Sequence, residues 1–173
     1  MAPDELDIAA AVTAVFAARP GLTWLPARSL PSRGILHPIA ADGLTEDQFE
    51  AISDAAVAEG DQHLYVSYVE RFVDEAIPQD FVVDAYAFRH YMEVLPSALD
   101  HAVVSPQRAW GALVLHQGVA LIAGSGEFMR VVYGRLLPLR EQTVSFSAEM
   151  AASGSAALAA WADQLLTDLS AKS

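Results

Sequence analysis

Residues 109–124, AWGALVLHQGVALIAG, hold two apolar runs on either side of His116-Gln117-Gly118. A glycine at the end of that triplet supplies the positive φ that a tight turn needs. The segment therefore predicts a β-hairpin, and this hairpin constrains the fold more than any other feature. Its strands must be antiparallel neighbours, so the glycine-bearing stretch that follows them is not the turn of a parallel crossover.

Helical and strand patterns alternate along the rest of the chain. Residues 4–19 carry Leu6, Ala9, Val12, Val15 and Phe16 at helical spacing and stop at Pro20-Gly21. Residues 22–25 read as a short strand. Residues 26–43 contain Pro26, Pro31, Gly34, Pro38 and Gly43, which predicts a long loop with a short strand at 35–39. Loops of that length are uncommon in compact domains and are often functional. Thr45-Glu46-Asp47-Gln48 is a capping box opening a helix, with Phe49, Ile52, Ala56 and Val57 on its buried face and Gly60 at its end.

Residues 63–72 are rich in β-branched and aromatic side chains on both faces, which predicts an interior strand. Residues 81–84 and 98–106 also read as extended. Residues 85–95 lean to helix, and 138–152 fit helix or strand equally. Residues 126–137 and 155–170 are helical, the latter with Leu158, Trp161, Leu165 and Leu169 on one face. The expected fold is α+β. A single domain over 1–173 would carry an antiparallel or mixed sheet with helices packed on one or both faces.

Composition narrows the functional classes. Hydrophobic residues make up 53% of the chain and charged residues 18%, a globular balance. There is no cysteine, which excludes disulfides and thiolate metal sites. Asp4, Glu5 and Asp7 stand where a signal peptide carries positive charge, and the apolar runs are too short to cross a bilayer. A cytoplasmic location is expected.

The net charge is −12, and its distribution is uneven. Between Asp42 and Asp100 there are 14 acidic and 2 basic residues; the remainder has 8 of each. A carboxylate-rich region repels nucleic acid phosphates and anionic membranes and attracts basic proteins. No nucleic acid or membrane partner is expected.

Short motifs add little chemistry. Gly124-Ser125-Gly126 follows a strand and precedes a helix, the order of an anion-binding turn. Met129 occupies the position of the third glycine in a dinucleotide fingerprint, and the only lysine is Lys172, so no phosphate-loop lysine is present. Ser125 as helix cap and Glu127 in the first turn account for the stretch. His90 and Glu93 share helical spacing and could, with Asp100 or His101, approach a metal, but five dispersed histidines give weak metal spacing. Glu70, Asp84 and Glu93 could pair as acid and base, or form a solvated face. No cofactor or metal is expected.

The reading these features favour is a non-enzymatic binding domain that presents an acidic surface, with Asp61, Glu70, Asp74, Glu75, Asp80 and Asp84, to a basic protein partner. In its acidic, cysteine-free composition the chain resembles bacterial immunity proteins, and the resemblance implies an inhibitor-like role. The alternative is a small-molecule or anion-binding enzyme. Its pocket would lie between the 26–43 loop and the Gly124–Gly126 turn, with His37 or His116 as acid/base. A homodimer through the apolar face of the C-terminal helix is a further possibility.

Overall fold

The structure is a computed structural model that describes residues 5–19, 22–69, 78–95 and 100–171. The elements run α1 (Glu5–Val15), β1 (Phe16–Arg19), β2 (Leu22–Pro26), β3 (Ser32–Leu36), α2 (Glu46–Ala58), β4 (His63–Tyr68) and β5 (Asp80–Asp84). They continue with α3 (Phe88–Val94), β6 (His101–Val104), β7 (Gly111–Leu115), β8 (Val119–Gly124), α4 (Gly126–Arg135), α5 (Leu139–Ala152) and α6 (Ala156–Ser170). Among the described residues this is an α+β fold with two antiparallel sheets, one of six strands and one of two.

The large sheet has the order β3-β8-β7-β6-β4-β5. Its centre is the hairpin expected at 109–124, with Leu115 paired to Val119 and Gly118 at a φ of 83°. Both faces of the sheet are covered. Leu36, Leu64, Val66, Val103, Ala120 and Ile122 point toward α2, α3 and α4 and meet Phe49, Ile52, Tyr91 and Phe128. Ile35, Val104, Leu113, Val119, Leu121 and Ala123 point the other way, toward α1, α5, α6 and the small β1–β2 sheet. Period-2 geometry thus sends alternate residues of one strand into two separate cores. This is why the runs are apolar at consecutive positions and not at alternate ones. Burying each such Leu, Ile or Phe contributes about 1.5–3 kcal/mol, so the two-sided strands anchor the molecule.

Glycines let two of these contacts close. A Cβ on Gly111 would lie 2.6 Å from Val15 and 2.9 Å from Phe16, so a side chain there would push α1 and β1 off the sheet. A Cβ on Gly124 would lie 2.7 Å from Phe128, which stacks on Trp110 with centroids 4.9 Å apart.

Several segments differ from the sequence expectation. The helix predicted over 4–19 ends at Val15, and the chain passes directly into β1. Phe16 pairs with Pro26 across the small sheet, and the Ala27 N–H donates to the Val15 carbonyl at 2.7 Å. That pairing outweighs the helical periodicity, which stays legible because Val12, Val15 and Phe16 enter the same core. The short strand predicted at 35–39 lies instead at Ser32–Leu36, where β8 offers its edge. Residues 85–95 and 138–152 both resolve as helix, as α3 and α5. The capping box at Thr45 is present: Gln48 N–H donates to Thr45 Oγ1, and Thr45 N–H donates to Gln48 Oε1. No helix among the described residues is long and apolar enough to cross a membrane.

Candidate functional site

Among the described residues, the carboxylates of the acidic run differ in burial and in partners. Asp61 is 4% exposed. Its carboxylate accepts from Ser105 Oγ at 2.6 Å, Trp110 Nε1 at 2.9 Å and Gln107 Nε2 at 2.9 Å. It is a buried hub, and its expected place on a surface patch is corrected. The cause is positional: it follows the α2 C-terminus, its own N–H bonds to Ala56, and the turn between β6 and β7 closes over it. Asp80 and Asp84 lie at the two ends of the edge strand β5. Asp80 accepts from Ser67 Oγ at 2.5 Å, and Asp84 pairs with His63 at 2.7 Å, each across the strand register. Glu70, Asp74 and Glu75 lie outside the described residues.

Other carboxylates of the run also have internal partners. Arg135 of α4 bridges Glu50 and Asp54 of α2. Tyr86 donates to Asp54, and that bond, helped by partial burial and the nearby carboxylate charge, raises the pKa of the Tyr86 phenol above its usual value. Buried Asp100 accepts from both the backbone N–H and Nδ1 of His116 at 2.7 Å. Glu93 pairs with Arg89, so it does not join His90 in a metal site. Among the described residues no three metal-ligating side chains gather.

The Gly124–Gly126 turn is built for capping. Ser125 Oγ accepts from the Phe128 N–H at 2.9 Å and donates to Glu59 at the end of α2. His37 and His116, the acid/base candidates of the pocket reading, do not face that turn. His37 is 3% exposed and sits edge-on to Phe146. Its Nδ1 lies 3.1 Å from the Gly118 carbonyl, and its Nε2 lies 3.2 Å from Glu149 without hydrogen-bond alignment. His116 occupies the hairpin turn.

A cleft of about 800 Å³ opens where the 26–43 loop meets α4 and the end of α6, and its lining does not include the Gly124–Gly126 turn. The loop contributes Arg28, Ser29, Ser32 and Arg33, and α4 contributes Met129, Arg130 and Tyr133. Among the described residues its lining holds three arginines and no carboxylate. Arg33 donates to the Ala171 carbonyl at 2.8 Å, which ties the β3 end of the loop to the end of α6. Arg130 is forked onto Glu127 one turn back on α4. That hydrogen bond lowers the Glu127 pKa. Tyr133 donates to the Ile35 carbonyl at 2.8 Å, and burial pushes its phenol well above the usual value. Gly34 is what lets Tyr133 seat there, because a Cβ would collide with its hydroxyl and come within 3.0 Å of Leu139.

These arginines carry no motif, and sequence reasoning did not single them out. The signal available was indirect: Arg28 and Arg33 both fall in the long loop that loop-length considerations mark as functional. No protein-family model, curated protein or solved structure gave a match to this chain.

Proposed function

We propose that the protein binds a small anionic ligand in the cleft between the 26–43 loop, α4 and the end of α6. One observation carries this reading: in a chain of net charge −12, the described residues that line one concave site include three arginines and no carboxylate. Guanidinium groups match carboxylate and phosphate oxygens in charge and in planar geometry. The cleft volume is of the size that holds metabolites, typically about 300–1,000 Å³. Binding is favoured over turnover. The one phenol in the lining, Tyr133, is tied to Ile35 and resists ionisation, so it is a poor base near neutrality.

Thermal unfolding in increasing inorganic phosphate tests the reading. A native-state ligand at a hundred times its Kd stabilises by about 2.7 kcal/mol, which is roughly 5–10 °C for a chain of this size. The gain should vanish in Arg28→Ala and Arg130→Ala. It should increase in Glu127→Gln, because the ligand no longer competes with Glu127 for Arg130. A flat response of the wild type to phosphate, or an unchanged gain in the arginine variants, rejects the site.

A basic protein partner remains the second reading, on the observation that Asp84, with its side chain 73% exposed, ends an edge strand. Salt-sensitive retention of a basic protein that survives reversal of Asp74, Glu75, Asp80 and Asp84 to lysine would reject it. For the dimer reading, the C-terminal helix already spends its apolar face within the chain. Leu165 is buried, and Leu158, Trp161 and Leu169 pack on the same core.

A further inference from the structure

His37 follows β3 in the chain, its ring is buried, and both ring nitrogens meet oxygen. Nδ1 lies 3.1 Å from the Gly118 carbonyl in the hairpin turn, and Nε2 lies 3.2 Å from Glu149 Oε2 in the last turn of α5. A carbonyl oxygen has no hydrogen to give, so the hydrogen of the first contact sits on Nδ1. In a neutral imidazole the other nitrogen is then a bare acceptor. Nε2 is closed off from solvent without a hydrogen-bond partner, and it faces a carboxylate, which is an acceptor too. A second ring proton turns that confrontation into an attraction. An imidazole is a stronger base than a carboxylate, so the proton belongs on the ring. The charged groups that the described residues place around the ring both favour it. Glu149 of α5 is one. Asp47 of α2 is the other, across a hollow of about 150 Å³ that His37 also lines; the remaining walls of that hollow, from α2, the end of α4 and α5, are uncharged.

We infer that His37 and Glu149 form a proton-operated latch that fastens the C-terminal half of α5 to the β7–β8 hairpin. With both nitrogens protonated, Nδ1–H donates to Gly118 and Nε2–H to Glu149, and the ring ties the two elements together. When the second proton leaves, a lone pair confronts the carboxylate, and the Glu149 side chain, 59% exposed, turns out to water. The other end of α5 is held differently. The His37 N–H donates to Gln142 Oε1 at 2.7 Å, and Gln142 Nε2 donates to the Leu137 carbonyl at 2.6 Å. Neither bond involves a titrating group, so Gln142 is the fixed end and the last turn of α5 is the end released. Imidazoles ordinarily change charge between pH ~5 and ~8, where carboxylates are ionised. The closed latch binds the extra proton, so it is closed on the acid side of that window and opens as pH rises. The groups that form it line no part of the arginine cleft.

His63 and His116 also face carboxylates, so global stability against pH does not isolate the latch and a local readout is needed. Amide hydrogen exchange, corrected for the intrinsic pH dependence of exchange, supplies one. A single linked proton changes an opening equilibrium by at most about tenfold per pH unit. Glu149 is largely exposed and its attraction is screened, so the protection of amides 149–153 should fall by about threefold or more in total between pH ~5.5 and ~8. The Gln142 amide, at the fixed end, should keep its protection within about twofold. In Glu149→Gln the side-chain amide can donate to the bare Nε2, so the contact no longer needs the second proton. The fall over amides 149–153 should then shrink to within about twofold. Nitrogen NMR of the wild-type imidazoles, which needs no variant to fold, should show both His37 nitrogens protonated at pH ~5.5 and Nδ1 alone at pH ~8. A His37 ring with one protonated nitrogen at the acid end, a wild-type fall no larger than that of Gln142, or an equal fall in Glu149→Gln overturns the latch.

Discussion

At Asp61 the chain takes a carboxylate into its interior and surrounds it with three donors from one turn, Ser105, Gln107 and Trp110. Removing the acceptor leaves the buried Ser105 hydroxyl and Trp110 N–H dry, and an unsatisfied buried donor costs about 1–3 kcal/mol. Asp61→Ala should therefore lower stability by about 3 kcal/mol or more, read as a fall in the urea midpoint. Ser105→Ala, which removes one donor and spares the acceptor, should cost less than half as much. Equal losses would show that the carboxylate is not the hub. Tyr91 gives a second residue-scale prediction. It is fully buried, its hydroxyl accepts from the Leu44 N–H at 3.1 Å and shares a hydrogen bond with His101 Nε2 at 2.7 Å. Burial raises its pKa. The folded phenol stays protonated where the unfolded one ionises, so stability is intact below pH ~10 and falls as pH rises beyond it. Urea midpoints between pH 8 and 11 should show that fall, with a shallower slope in Tyr91→Phe.

Helices α2 and α4 form an antiparallel pair joined at both ends. Ser125 at the start of α4 reaches Glu59 at the end of α2, and Arg135 in the last turn of α4 reaches Glu50 and Asp54. The two ends are unequal in energy. Ser125 also caps its own helix through the Phe128 N–H, so Ser125→Ala should cost about 1–2 kcal/mol. The Arg135 pairs are partly exposed, and Arg135→Ala should cost less than about 1 kcal/mol. A double-mutant cycle of Ser125→Ala with Glu59→Gln should give a coupling of at least about 0.5 kcal/mol, and additive losses would mean that the contact joins nothing. The stretch Gly124-Ser125-Gly126 was legible at this scale. Cap and first-turn chemistry accounted for it from the sequence alone, and the glycine before the cap serves the Phe128–Trp110 stack. The end of α1 was not legible, because β1 is held by partners ten residues away, Phe16 to Pro26.

Over the whole molecule the charge is the feature with a measurable consequence. Internal partners consume much of the acidic run, yet the net charge stays at −12 and its self-repulsion opposes the compact state. Screening shortens from ~30 Å at 0.01 M salt to ~8 Å at 0.15 M. The melting temperature should therefore rise with sodium chloride over that range. A flat or falling curve would show that the local pairs outweigh the long-range field. The candidate site also belongs to this scale. Arg28 and Arg33 come from the loop before and into β3, Arg130 from α4, and the closing wall from the end of α6, about 140 residues further along.

The sequence alone determined the local structure: the hairpin turn at Gly118, the Thr45 capping box, the Ser125 cap, and an antiparallel α+β sheet clad in helices. Each follows from forces that act between neighbours a few positions apart, or from a repeat that the backbone geometry imposes. The tertiary structure alone decided where charges end up. Asp61 goes inside, Arg135 pairs with two carboxylates of another helix, and Arg130 lines one cleft with Arg28 and Arg33 from about 100 residues earlier. Coulomb and hydrogen-bond energies depend on distance in space, and the chain order does not encode that distance until the sheet has brought remote segments together.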